Sequence, residues 1–526
     1  MLQGYLALIL HAHLPFVRHP EHEHFLEEDW LFEAVTETYI PLLDLFERLA
    51  GEGLACPVAL TLTPPLAAML RDPLLQERYI RHLDRLIALV LREQERARDL
   101  PWLAPVVALY QDRLAQARRL YLDRWNRDLA GAFARLQESG HLEIVACAAT
   151  HGFLPLLQNN PEAVRAQILT GCSEYTRTFG RAPRGFWLPE CAYVPGLEDL
   201  LQEAGVRWFL LDSHGLLFGK PRPRNGIFAP VYTPAGPAAF GRDRESSRQV
   251  WSAEEGYPGD PAYRDFYRDI GFDLSLDYLQ PFLIDGMRRF TGLKYHRITG
   301  RTGPKELYRR DWAMAAVQSH ASHFVESRRA QAASLAGALS TPPVMLSPFD
   351  AELFGHWWFE GPEFLEQVLR LCAADPSQLE LINPSGYLAR HPTQQVSRPA
   401  PSSWGNRGYW EVWLDDCNSW IYPHLHECAR RMFAAVRKGP CAAGPDGDRL
   451  LRQMGRELLL AQSSDWAFLM RTGTAQSYAE VRTRLHIERF LGLEARFEAG
   501  IGGGSLLAEC ESHDNLFPDF DWRVFL

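Results

Sequence analysis

Apolar residues gather in short runs separated by longer amphipathic stretches, and this alternation sets the expected architecture. Gly4–Leu10, Cys56–Leu62, Leu142–Ala146, Gly185–Leu188, Trp208–Leu211 and Val344–Leu346 are short and poor in charge, as strands buried on both faces are. Between them apolar residues recur every three or four positions, as over Trp30–Leu49, Pro161–Phe179 and Pro362–Cys372, the spacing of helices with one buried face. Pro64-Pro65 stops the second strand, and Gly205 marks the end of the helix before Trp208. Strands alternating with helices predict parallel βα units rather than a sandwich. Residues 66–140 are rich in Arg and Leu and broken at Pro101 and Pro105; they read as a helical insertion over a barrel mouth. Gly215–Arg248 reads as a long loop, and Pro392–Pro401 as a polar linker. Beyond Trp404 the spacing is helical over Ser419–Val436, Arg449–Gln462 and Ala475–Leu491, and no repeat is visible.

Apolar residues make up 46% and charged residues 23%, an ordinary composition for a soluble chain. The net charge of -10 argues against a nucleic-acid surface. No apolar run approaches the roughly 18 residues of a membrane span, and Met1–Leu10 lacks a basic leader. Nine cysteines without a CxxC pair fit reduced thiols in a cytoplasm. No segment signals oligomerisation, so a monomer is expected. The chain holds 15 Trp and 18 Tyr; most fill the core, yet flat rings also stack on sugars.

Two acids carry the chemistry. Glu190 ends Gly185-Phe-Trp-Leu-Pro-Glu190, and Asp350 lies within Leu346-Ser-Pro-Phe-Asp-Ala-Glu-Leu-Phe-Gly-His-Trp-Trp358. Both sit where a strand ends, the edge at which a barrel presents its reactive groups. A buried carboxylate is costly without a purpose. Two that converge suit cleavage or transfer of a glycosidic bond, one ionised as nucleophile and one protonated as acid. Glu352 and His356 accompany Asp350. His11 and His13 alternate at the first strand end and face one side; His151 follows the third. Read alone, that pair serves metal binding, sugar binding or loop packing equally well.

Together His11-Ala-His-Leu-Pro15, Ala149-Thr-His-Gly152, Gly185–Glu190, Ser347–Trp358 and Ser463-Ser-Asp-Trp466 resemble glycoside hydrolase family 57, in the family's order and across nearly the whole chain. Within it the chain looks most like the 1,4-α-glucan branching enzymes, through the Asp350 motif, the segment Gln249–Gly259 and the helical C-terminal region. The resemblance implies a distorted (β/α)7 barrel over residues 1–400 with 66–140 as a helical insertion. It also implies an all-helical C-terminal domain over 401–526 that contributes to the cleft. It implies Glu190 as nucleophile and Asp350 as general acid/base, with no metal and no cofactor. His11, His13, His151 and Asp465 would hold the sugar. Trp30, Arg242, Trp251, Trp404, Trp413 and Trp466 would line the path of an α-glucan such as amylose or glycogen. The branching members carry a tyrosine on a mobile loop over the site. Here the corresponding stretch, 215–248, is shorter and Tyr232 is its only tyrosine. If it falls short, α-amylase or 4-α-glucanotransferase activity is the alternative.

Overall fold

A computed structural model describes residues 2–252, 255–284, 286–300 and 304–526. Its strands, in chain order, are β1 (Tyr5–Ala12), β2 (Val58–Leu62), β3 (Leu142–Cys147), β4 (Gly185–Trp187), β5 (Trp208–Leu211), β6 (Val231–Tyr232), β7 (Ala238–Gly241), β8 (Val344–Asp350) and β9 (Glu380–Leu381). They run β6-β7-β5-β4-β3-β2-β1-β8, all parallel except β6, with β9 beside the start of β1. The sheet then curls shut: Arg242, just past β7, bridges to Leu346 of β8 in parallel, and Asp243 N–H donates to Leu346 O at 2.7 Å. Seven parallel strands, β1–β5, β7 and β8, therefore form the expected distorted (β/α)7 barrel.

Alternation decides what fills it. Tyr5, Ala7 and Ile9 of β1 face inward with Val145, Cys147, Trp208, Leu210, Ala238, Phe240, Val344 and Leu346 as one buried cluster. Gly185 belongs to this interior because a Cβ there would lie 2.2 Å from the Trp208 indole. The same parity, followed to the C-terminal strand ends, brings His11, His13, Trp187, Asp212, Arg242 and Asp350 to one mouth. In register, His11 pairs with both Thr61 and Asp350.

Helices cover the barrel where the apolar spacing placed them, including Glu28–Ala34 and Ile40–Gly51, Pro161–Phe179 and Gly361–Ala374. Between β2 and β3 the chain is helical at Pro64–Arg71, Pro73–Ala97, Ala104–Arg119 and Leu129–Glu138. Beyond β9 the long helices Ile421–Lys438, Gly447–Ala461 and Gln476–Glu498 pack together, joined by Ser464–Thr472 and Gly504–His513. No helix among the described residues is long and apolar enough to cross a membrane. All nine cysteines are unpaired.

Three expectations need correction. The supposed loop 215–248 contains β6, the barrel strand β7 and most of the helix Arg244–Trp251. Pro237-Ala-Ala-Phe-Gly241 escaped notice because it carries no β-branched residue. The supposed linker is a strap. Gln395 O and Ser397 N–H bond the backbone of Tyr232 at 2.9 Å, and Arg398 pairs with Lys220. Third, Tyr232 lies at the far end of the barrel. It pairs with Ala238, which pairs with the first residue of β5, and its hydroxyl donates to Pro392 O at 3.1 Å. Tyr232 therefore cannot shield the mouth. Replacing it with Ala should leave the ratio of transfer to hydrolysis unchanged when both product types are quantified; a shifted ratio would contradict this placement.

Candidate active site

Past β4 the chain turns through Leu188-Pro189 into a left-handed pair, Glu190 (φ 61°) and Cys191 (φ 49°). A non-glycine residue there costs on the order of 1 kcal/mol and persists only when its surroundings hold it. Trp404 holds Glu190 twice. Its backbone N–H donates to Glu190 O at 3.0 Å, and its indole N–H donates to Glu190 Oε2 at 2.8 Å. Ser464 donates to the other carboxylate oxygen at 2.9 Å. His151, past β3, is also left-handed (φ 59°) and held by the same residue, because Ser464 N–H donates to His151 O at 3.0 Å.

These contacts fix a direction for the hydrogen bonds. Burial, with His13 nearby, keeps both His11 and His151 well below the usual imidazole range, so both rings are neutral. The Ser464 hydroxyl spends its proton on Glu190, so it accepts from His151 Nδ1 at 2.8 Å. The His151 Nε2 is then bare and accepts from His11 Nε2 at 3.0 Å. A one-way chain runs His11, His151, Ser464, Glu190. His11 in turn lies flat on Trp187, 4.2 Å between ring centres and 4° from parallel.

A second set surrounds His13. Its Nε2 faces both oxygens of Asp465 at 3.0 and 3.1 Å, and its Nδ1 meets Thr63 Oγ1 at 2.9 Å. Burial opposes charge on this ring, but Asp465, Glu352 and Glu190 outweigh it and raise its pKa. The His13 backbone N–H donates to Glu352 Oε1 at 3.1 Å, as does Tyr39 O–H at 2.5 Å. Tyr39 closes a π-helical turn, Val35–Tyr39, from which Thr38 Oγ1 also accepts from His356 N–H at 3.2 Å. Wide turns of this kind recur at functional sites.

The acids differ in their surroundings. Burial first, then Asp465, raises Glu190 to about 7 against the opposing donors Trp404 and Ser464. Burial, then the charges of Glu352 and Glu190, push Asp350 well above the usual carboxylate range, with Arg242 opposing. Among the described residues no group donates to the Asp350 carboxyl. A carboxyl with two donors aimed at it is the one that ionises. Glu190 is therefore the more readily ionised of the two, and Asp350 the one that holds its proton to higher pH.

The remaining candidates divide. Arg242 reaches Asp212 Oδ2 at 3.4 Å, Ser247 Oγ at 2.8 Å and the Trp404 ring at 5.5 Å, within the mouth. Trp251 is half-buried against the exposed Trp357, 5.7 Å between rings; Ala253 and Glu254 of its segment lie outside the described residues. Trp30 is partly buried beside Tyr478 at 5.8 Å. Trp413 and Trp466 are 1% and 0% exposed, so they offer no face to a sugar. Trp413 stacks on Phe153, and Trp466 donates to Leu460 O. Asp212, Tyr39, Thr63 and Ser464 were not singled out. Counting parity one residue past β5 finds Asp212, whereas Ser464 lies inside the Ser-Ser-Asp-Trp motif. His13, His151 and Asp465 bring donor atoms within 4.8 Å of one another and could hold a cation. That would require breaking the His13–Asp465 contact and the directed chain.

Residues 7–400 match the family model described as Glycosyl hydrolase family 57. The chain belongs to glycosyl hydrolase family 57. A second model, 1,4-alpha-glucan branching enzyme, C-terminal, matches residues 424–525 of this family member. It is 34% identical to a curated 1,4-alpha-glucan branching enzyme of Thermococcus kodakarensis, over 98% of this chain and 78% of that one. Among solved structures, the α-amylase AmyC from Thermotoga maritima superposes with a TM-score of 0.93 at 44% identity, covering 99% of both chains. A family-57-type branching enzyme from Pyrococcus horikoshii gives 0.89 at 33%, covering 100% of this chain and 97% of its own.

Glu352 exposes the stability cost of the site. Burial is the main cause that raises its pKa from 4.5 to about 7, despite Tyr39 and His13. In the window between those values the unfolded chain releases a proton that the folded chain keeps, so stability falls as pH rises through it. Glu352→Gln retains an acceptor for both donors. Its unfolding free energy should match the wild type near pH 4.5 and exceed it increasingly up to about pH 7, by on the order of 3 kcal/mol. A pH-independent difference would contradict this.

Proposed function

We propose that the protein is a 1,4-α-glucan branching enzyme acting by retaining double displacement. The Glu190 carboxylate attacks the anomeric carbon of an internal α-1,4 linkage while Asp350 gives its proton to the departing 4-oxygen. The product is a β-linked glucosyl ester on Glu190. Asp350, now ionised, takes the proton of a 6-hydroxyl on an acceptor glucan. That oxygen attacks the anomeric carbon, Glu190 leaves as carboxylate, and an α-1,6 branch results. The Trp404 and Ser464 donors stabilise the Glu190 anion before and after each turnover. His11, His13, His151 and Asp465 are assigned to the sugar beside it. Trp30, Arg242, Trp251 and Trp404 are assigned to the glucan path, with Trp413 and Trp466 as the packing beneath it. The assigned division is a catalytic part over 1–400, in which 66–140 is an insertion, and a C-terminal part over 401–526 that supplies the clips. The model matches to 7–400 and 424–525 support that division.

The match of residues 424–525 to the branching-enzyme C-terminal model carries branching over hydrolysis. Hydrolysis is the second reading, favoured by the 44% identity to an α-amylase and by a Tyr232 too distant to exclude water. The two differ only in the acceptor. Incubation with amylose should yield bonds that a debranching enzyme later cuts; linear products whose reducing ends rise in step with cleavage would favour the amylase. Activity that survives exhaustive chelation would exclude a metal-dependent mechanism at His13, His151 and Asp465.

The acid roles are separable. Activity should fall below about pH 7 as Glu190 gains a proton, and fall again at higher pH as Asp350 loses its own, the two limbs belonging to the pair. Asp350→Ala should lose about 10²- to 10⁴-fold in rate. Azide should rescue it with an activated donor, giving an α-glucosyl azide, whereas Glu190→Ala with azide should give the β anomer. The opposite pairing of anomers would reverse the roles.

A further inference from the structure

The segment that follows Asp350 leads out of the mouth along a series of rings. His356 lies 5.2 Å from Phe266 at 88°, and Phe266 lies 5.1 Å from Tyr267 at 90°. Lys294 places its ammonium 4.0 Å from the Phe266 ring centre and 5.5 Å from that of Phe290. Trp357, Tyr267 and Phe290 are 42%, 81% and 42% exposed. Exposed aromatics grouped in this way usually mark a contact surface.

Their arrangement distinguishes the occupant. The rings meet edge to face, Phe266 on Tyr267 at 90° and Phe290 on the exposed Phe272 at 5.2 Å and 66°, so they present separately tilted ring faces and not one flat apolar surface. Polar groups rim them: Arg268 pairs with Asp273 at 2.7 Å, and Arg288 donates to the Gly271 and Leu274 carbonyls at 2.8 Å. Tilted ring faces among polar groups match pyranose rings, which are apolar on their faces and hydroxylated at their edges. The platforms are held in advance of binding. Lys294 is buried and lies over Phe290 and over Phe266, the ring on which Tyr267 stands edge-on. Rings fixed in this way lose little freedom when a ligand stacks on them. The series begins at Trp357, seven residues beyond Asp350 in the same segment that carries the acid.

We infer that Trp357, Tyr267 and Phe290 form an accessory track for the part of an α-glucan chain that extends beyond the cleavage site. This rests on the glucan reading above, and the experiment separates the two. In the inactive Glu190→Gln background, gel retardation by glycogen should be lost on Tyr267→Ala/Phe290→Ala and kept on Tyr267→Trp. In the active enzyme the double variant should raise KM for amylose about fivefold to tenfold, the range of a truncated aromatic anchor, with turnover of maltoheptaose unchanged. Unchanged retardation would overturn the track, as would a loss that is equal on maltoheptaose and amylose. A changed mass in solution by light scattering would assign the rings to a second copy of the chain and also overturn it. A wild type that converts no α-glucan at all would instead overturn the reading beneath it.

Discussion

Glu190 sits in a left-handed backbone at the end of β4, and what holds it there comes from more than two hundred residues further along the chain. Trp404 grips it by main chain and by indole, and Ser464 grips its other oxygen. Ser464 also fixes His151, a second left-handed residue at a neighbouring strand end. Without these bonds both backbones would relax toward ordinary conformations. The carboxylate would then lose its aim and its stabilising donors together. The residues beyond 400 are therefore part of the site's construction: the helix that begins at Ser464 bonds Glu190 and His151 through Ser464 and His13 through Asp465.

The same contacts order the charges. Burial alone would leave both acids protonated, and their proximity in charge would penalise ionising both. Two donors on Glu190, and none on Asp350 among the described residues, break that symmetry and make Glu190 the more readily ionised of the pair. The neutral imidazoles of His11 and His151 add directed polarity to the chain that ends on Glu190. A third buried carboxyl, Glu352, raises Asp350 further while tying β1 to the π-helical turn at Tyr39. The pocket is costly in stability because its charges are kept from water.

Much of this was legible in the chain, for identifiable reasons. Strands buried on both faces announce themselves as apolar runs, and parity along them brings His11, His13 and Asp350 to one end. What was hidden falls into two kinds. β7 lacks β-branched residues and is only four residues long, with Ala238 and Phe240 inward beside Trp208, so local propensity was weak. The clips join positions whose spacing carries no period: nothing near Ser464 encodes Glu190. Aromatic content misled in one direction, since Trp413 and Trp466 share the composition of a sugar platform but are enclosed. Tyr232 misled by position in the chain, because its stretch folds back as β6 at the opposite end of the barrel.

Trapping the covalent intermediate tests the central claim most directly. A 5-fluoroglucosyl fluoride should inactivate the enzyme by forming a slowly hydrolysed glucosyl ester, and mass spectrometry of the digested protein should place one added sugar on the peptide bearing Glu190. The label should persist in Asp350→Asn. A sugar on Asp350 or Glu352, or inactivation without any covalent label, would contradict the assignment of Glu190 as the clipped, ionised nucleophile.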